Sequence, residues 1–126
     1  AFRLTHQVHV YDLAGNEIGL VSQRLFTFLP TFDISVGDRP CGSIRKEFTL
    51  FKPSYSIEYG GWQCNGDFLS WNYNVTAGSR LVANIAKQLL SWGDTYTLDI
   101  IDPGDEIMAL MLVIAIDAAN CSQNNN

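Results

Sequence analysis

The chain reads as a mainly β protein: an antiparallel β-barrel, or a strongly curved sheet, wrapped around a central hydrophobic C-terminal α-helix. Three observations predict this. Up to residue 101, aromatic and β-branched residues alternate with polar ones between Gly-containing turns such as "LAGNE", "VGDRP", "YGGW" and "TAGSR", the chemistry of strands and hairpins. A fourteen-residue pattern recurs through that region, as a repeated structural unit would. Then ten consecutive residues, Ile107 to Ile116, carry no polar side chain, and a helix apolar on every side belongs inside a protein.

The expected strands run near 3–11, 17–27, 31–36, 42–51, 54–59, 62–64, 68–76, 80–90 and 95–101. Short turns between neighbours imply an antiparallel meander. The repeat is clearest in "VSQRLFTFLPTFDI" (21–34), "IRKEFTLFKPSYSI" (44–57) and "IAKQLLSWGDTYTL" (85–98). "WQCNGDFLSWNYNV" (62–75) keeps the closing half. Each copy holds a breaker in its middle, at Pro30, Pro53, Gly66-Asp67 or Gly93-Asp94, so each is a long strand, a corner and a second strand. In the second strands Phe32, Ile34 and Val36 share one face, as do Tyr55, Ile57 and Tyr59, and Tyr96, Leu98 and Ile100. Asp33, Ser35, Ser56, Glu58, Thr97 and Asp99 take the other face. A sheet with one dry face must close on itself or cover something else.

The C-terminal run is what it covers. Asp102 suits an N-cap, Pro103 the first helical position, and Asp105 and Glu106 the positive end of the helix dipole. The helix is expected over 103–120, about 27 Å long, with a polar tail over 121–126. Its core residues are Ile107, Leu110, Met111, Leu112, Ile114 and Ile116. Ala109, Ala115 and Ala118 let strands approach closely. The apolar run falls short of the roughly 20 residues that cross a bilayer, so a helix buried in protein is the expected arrangement. With 126 residues the chain has room for a single domain, 1–126.

A formal net charge of −5, from 8 Lys and Arg against 13 Asp and Glu, argues against nucleic acid as the partner. It also gives no general attraction to an anionic membrane. The three cysteines, Cys41, Cys64 and Cys121, form neither a CxxC pair nor a disulfide framework. Reduced thiols suit a cytoplasmic location. Asn74-Val75-Thr76 fits the glycosylation triplet, which arises often by chance. His6 and His9 stand on opposite faces of a strand and cannot share a metal ion. No Ser sits in a G-x-S-x-G elbow, and "GDRPCGS" lacks the spacing and lysine of a phosphate loop. Asp102 and Asp105 belong to the helix start. The sequence calls for no catalytic residues, no metal and no cofactor, and Trp62, Trp71 and Trp92 read as wall packing.

One feature resists the alternation. Gln23, Lys46 and Lys87 occupy the third position of the repeat, in register with Val21 and Leu25, Ile44 and Phe48, and Ile85 and Leu89. Strict alternation points these polar groups inward. Either they lie at a barrel mouth and reach water, or a bulge turns them away. The functional alternative is a partly basic rim of Arg45, Lys46, Lys52 and Lys87 holding an anionic ligand such as a phospholipid headgroup.

Taken together, "RLFTFLPTFDI", "IRKEFTLFKPSYSI", "GDFLSWNYNV", "IAKQLLSWGDTYTLDI" and "ALMLVIAIDA" resemble the LURF-one-related (YxjI-like) family, over nearly the whole chain and in order. That family is similar to the tubby C-terminal domain and to phospholipid scramblases. The resemblance implies a twelve-stranded antiparallel barrel threaded by the C-terminal helix, and brings no established catalytic residues. It also implies that the first two or three strands of the family fold are missing here. The strands at 3–11 and 95–101 would then be open edges inviting self-association. Three functions are carried forward. The first is a non-enzymatic binding or scaffolding domain. The second is a phospholipid- or phosphoinositide-associated, scramblase-like role. The third is an enzyme with a pocket at a barrel mouth.

Overall fold

The structure, a computed structural model, describes residues 7–50, 54–67, 72–90 and 93–124. It contains strands β1 (Gln7–Tyr11), β2 (Glu17–Gln23), β3 (Thr31–Val36), β4 (Arg39–Lys46), β5 (Tyr55–Tyr59), β6 (Trp62–Asp67), β7 (Asn72–Ala77), β8 (Arg80–Leu90) and β9 (Gly93–Ile100). A 3-10 turn over Pro103–Asp105 leads into helix α1, Glu106–Asn124. Every strand pairs antiparallel with its sequence neighbour, in two sheets: β1-β2-β3-β4-β5 and β6-β7-β8-β9. Between β5 and β6 the chain turns on Gly60 and Gly61, at φ 61° and 71°, which glycine adopts without a Cβ clash. The two sheets stand side by side at this turn and curve around the helix. Among the described residues they do not close, and β1 and β9 are left as edges.

The dry face is the inner one. Val21, Phe32, Ile34, Ile44, Val75 and Val82 are wholly buried against Ala109, Met111, Leu112, Ala115, Ile116 and Ala119 of the helix. Alanines at the contact let backbones come close, and Gly19 of β2 does the same from the other side: a Cβ there would lie 2.4 Å from the Met111 sulfur. Gly42 is required for a different reason. It sits at φ 154°, where a Cβ would lie 2.0 Å from the Glu58 carbonyl oxygen, beside the register shift between Ile34 and Ser35.

Several element ends differ from the sequence expectation. Strand β2 stops at Gln23 rather than 27, and Phe26 takes the left-handed region at φ 57°. Leu25 therefore leaves the apolar face and is 44% exposed. Strand β4 spans 39–46 rather than 42–51, leaving Phe48 and Leu50 outside the sheet. Strand β6, at 62–67, is longer than the expected 62–64. Residues 3–6, 51–53, 68–71 and 91–92, with His6, Lys52, Trp71 and Trp92, lie outside the described residues.

At the helix start, the Asp102 carboxylate accepts from Gly104 N at 2.9 Å, and Arg80 Nη1 at the start of β8 pairs with Asp105 at 2.9 Å. The helix continues through Asn124, so four residues of the expected tail are helical. Its burial is uneven. Met111, Leu112 and Ile116 are 0% exposed, Leu110 and Ile114 are partly exposed, and Ile107 is 44% exposed, outside the core. Ile107, Leu110 and Ile114 stand three or four residues apart, one stripe of a helix. That stripe faces the side the two sheets leave open, which is why an all-apolar run is not covered all round.

Candidate binding surfaces

The inward-pointing lysines resolve the anomaly in the alternation. Lys46 is 8% exposed, and the Lys87 side chain is also 8% exposed. Alternation holds at both, and no bulge turns them out. Each stands opposite a tyrosine: Lys46 pairs with Tyr55 across β4–β5, and Lys87 with Tyr96 across β8–β9. The repeat dictates this, because both pairs are nine residues apart in sequence. Lys46 Nζ and the Tyr55 hydroxyl both donate to Asn120 Oδ1, at 3.4 and 3.3 Å. Lys87 Nζ and the Tyr96 hydroxyl both donate to Asp117 Oδ1, at 3.3 and 2.5 Å. The Lys87 ammonium also lies 5.3 Å from the centre of the Tyr96 ring, within cation–π range. Two copies of one hairpin thus clamp two helix residues one turn apart. In the first copy Gln23 stands opposite Phe32, and no ion is available.

Of the four rim positions, Lys46 and Lys87 come together at this end of the helix. Arg45 points to the outer face, where it pairs with Glu47 at 2.8 Å. Ser56 hydrogen-bonds the same carboxylate. The Ser56 hydroxyl, and next the Arg45 guanidinium, hold the Glu47 carboxyl below the usual range. Lys52 lies outside the described residues. The lysines neutralise and satisfy the helix end, which is also the negative end of its dipole.

The same end carries a group of exposed apolar side chains. Beyond β2 and β4 the loops project Phe26 (96% exposed), Phe28 (98%), Phe48 (79%) and Leu50 (79%). Lys46 N donates to Pro30 O at 2.9 Å, which holds the two loops side by side. Sequence reasoning placed Phe26, Phe48 and Leu50 on the strands expected near 17–27 and 42–51. The available signal was "LFTFL" at 25–29, four large apolar residues in five, too dense for an alternating strand with one wet face.

Two of the surface concavities bear on the site. One, of about 590 Å³, runs between β9 and the helix and is lined by Tyr96, Leu98, Asp99, Ile100, Glu106 and Leu110. The other, of about 420 Å³, lies on the second sheet. There Asn65, Asn74, Asn84 and Asp99 form a row across all four strands. His9 is on the outer side of β1 and bonds Glu17. Among the described residues no three His, Cys, Asp or Glu side chains gather as a metal site would require. Cys41 and Cys64 are free thiols. Burial pushes the Cys64 thiol up to about 12, away from nucleophilic use. Burial likewise raises the Tyr59 and Tyr73 hydroxyls, and Tyr59 donates to Met108 O at 2.9 Å.

No helix among the described residues is long and apolar enough to cross a membrane. In comparison with known proteins, the chain is 28% identical over 116 residues to "Uncharacterized protein YxjI" of Bacillus subtilis (strain 168), covering 92% of this chain and 72% of that one. No solved structure matches. The family model described as LURP-one-related matches residues 1–117; the spelling LURF-one-related used above denotes the same group. A match of that extent, over the β-meander and most of the helix, establishes the kinship inferred from the repeats: the chain belongs to the LURP-one-related family.

Proposed function

We propose that this chain is a non-enzymatic binding domain that seats its loop end in the interfacial layer of a lipid bilayer. One observation carries the reading: Phe26, Phe28, Phe48 and Leu50 stand 79–98% exposed on two adjoining loops. Burying each would contribute about 1.5–3 kcal/mol, before the cost of ordering and association. Exposed apolar clusters of this kind mark protein or membrane contacts. Here the side chains stand on two loops beyond the ends of β2 and β4, so a protein partner would need a separate pocket for each. A bilayer interface accepts them in any arrangement.

Charge supports a neutral surface over an anionic one. The net charge is −5. Arg24 is committed to Asp33 at 2.6 Å, and Arg45 to Glu47. Lys46 and Lys87 face the helix. A headgroup-binding rim built from these cations is therefore not the favoured form of a lipid role.

Vesicle co-sedimentation tests the proposal. Phosphatidylcholine vesicles should pellet the protein without anionic lipid, and Phe26→Ser/Phe28→Ser or Phe48→Ser/Leu50→Ser should each lower partitioning by roughly tenfold or more. All four side chains are exposed, so the variants should keep the parent's circular dichroism. Equal partitioning of parent and variants, or partitioning only onto phosphatidylglycerol, would overturn it.

A further inference from the structure

We infer that the outer face of the second sheet binds a neutral saccharide, held by the side-chain amides of Asn65, Asn74 and Asn84 and the carboxylate of Asp99. This is independent of the bilayer reading, since it concerns a different face and uses none of the exposed phenylalanines.

Composition points to it first. Asparagine is depleted in strands, where its amide competes with the backbone for hydrogen bonds. The strands nevertheless hold four, Asn65, Asn72, Asn74 and Asn84, and pairing and alternation turn all four to one face of one sheet. The first sheet's outer face is built differently, with ion pairs such as His9–Glu17, Arg24–Asp33 and Arg45–Glu47.

Geometry comes second. Asn65, Asn74, Asn84 and Asp99 are successive cross-strand partners. Neighbouring strands lie about 4.8 Å apart, a step close to the width of a pyranose ring. Beside the row, Gly66 and Ala86 have little side chain, which leaves the concavity of about 420 Å³ that Asn72 and Thr97 also line. That volume suits a small ligand.

Third, hydrogen-bonding capacity is left over. The Asn74 Oδ1 atom is buried without a partner among the described residues, a costly state that a ligand donor relieves. Rotation of the amide about its last torsion turns either its oxygen or its NH2 group outward. Each amide offers donors and an acceptor together, and Asp99 adds acceptors. Sugar hydroxyls, which donate and accept at adjacent positions, match that mixture. The lining holds no Lys, Arg or His, so a phosphate or carboxylate meets no counter-charge. A second copy would bring a further net charge of −5.

Nitrogen–proton correlation spectra of the intact chain test this, with maltotriose, cellotriose and chitotriose as probes and tri-lysine and inorganic phosphate as controls. At least one trisaccharide should shift the side-chain amide signals of Asn65, Asn74 and Asn84 saturably, in the millimolar range expected of an open polar site. The controls should leave them in place. Asn84 and Asn65 are exposed, so Asn84→Asp and Asn65→Ala should melt with the parent. Each should weaken the sugar by about fivefold or more. No saturable shift from any trisaccharide, shifts centred on another face, an equal response to tri-lysine or phosphate, or indifference to both substitutions would overturn the inference. So would amide signals that move on dilution without sugar, because the occupant would then be a second copy.

Discussion

Lys87→Met and Asp117→Asn, singly and together, measure what holds the helix end. The Lys87 side chain is 8% exposed, Asp117 is 36% exposed, and the charged atoms are 3.3 Å apart. At an effective dielectric of 20 that separation is about 5 kcal/mol of gross attraction, most of it offset by desolvating the ammonium. Lys87→Met keeps the stem and its packing while removing the charge. Asp117 then retains the Tyr96 hydroxyl and its access to water, so the cost should be about 1–2 kcal/mol. Asp117→Asn removes the carboxylate 3.3 Å from a mostly buried ammonium and should cost more, about 2–4 kcal/mol. The double variant removes both charges and should recover about 1–3 kcal/mol of the summed loss. Urea unfolding followed by circular dichroism reads all four proteins. The pseudo-equivalent cycle, Lys46→Met with Asn120→Leu, has a neutral acceptor and should couple by about 1 kcal/mol or less. Additivity within about 0.5 kcal/mol in the Lys87 cycle, or stronger coupling in the Lys46 cycle, would refute the account of the clamps.

Other outcomes are expected from the core and the turns. Leu112, 0% exposed, cannot become Asp without burying a carboxylate and losing its packing, together about 5 kcal/mol or more; a cooperative melt in Leu112→Asp would show that the helix is not the core. Gly42→Ala forces a Cβ to within 2.0 Å of the Glu58 oxygen and should cost about 2–4 kcal/mol; a thermal midpoint within about 3 °C of the parent would contradict that. Cys64 should resist a thiol reagent at pH 8 until urea unfolds the chain, since burial lifts its pKa from 9.0 to about 12. A folded value above the unfolded one makes this stabilisation complete below pH 9 and lost as pH rises toward 12. The raised Tyr59 and Tyr73 hydroxyls act in the same direction, so a urea midpoint that stays flat through that alkaline range would count against their burial.

Much of the architecture was legible because a single dry face and a single apolar run constrain each other. The pairs Val21–Ile34, Ile44–Ile57 and Ile85–Leu98 follow from the repeat read in register. Strand ends were less legible. Alternation predicts that Leu25 and Phe48 continue the inner face, yet β2 ends at Gln23 and β4 at Lys46, and both residues emerge exposed. Ile107 failed for the converse reason: its own sequence is apolar, and only the unclosed edges of β1 and β9 determine that it meets solvent. The site was half legible. The alternation argument points Lys46 and Lys87 inward, whereas their partners Asp117 and Asn120 lie far along the chain and depend on how the helix is rotated.

That rotation is itself a problem the apolar run cannot solve. Between Ile107 and Ile116 any face of the helix is greasy, so turning it or sliding it by a residue exchanges one set of aliphatic contacts for another at little cost. Asp117 and Asn120 break the degeneracy, because each has one position that brings it to a Lys–Tyr pair, and the two pairs come from different sheets. Buried polar contacts that contribute little net stability can still select one packing. We expect Asp117→Leu/Asn120→Leu to retain far-ultraviolet helicity and to unfold within about 3 kcal/mol of the parent. It should lose the near-ultraviolet signal and sharp methyl resonances of a unique core. A double variant as well dispersed as the parent would mean that the helix finds its register through shape alone, and that the repeated lysines serve some purpose other than holding it.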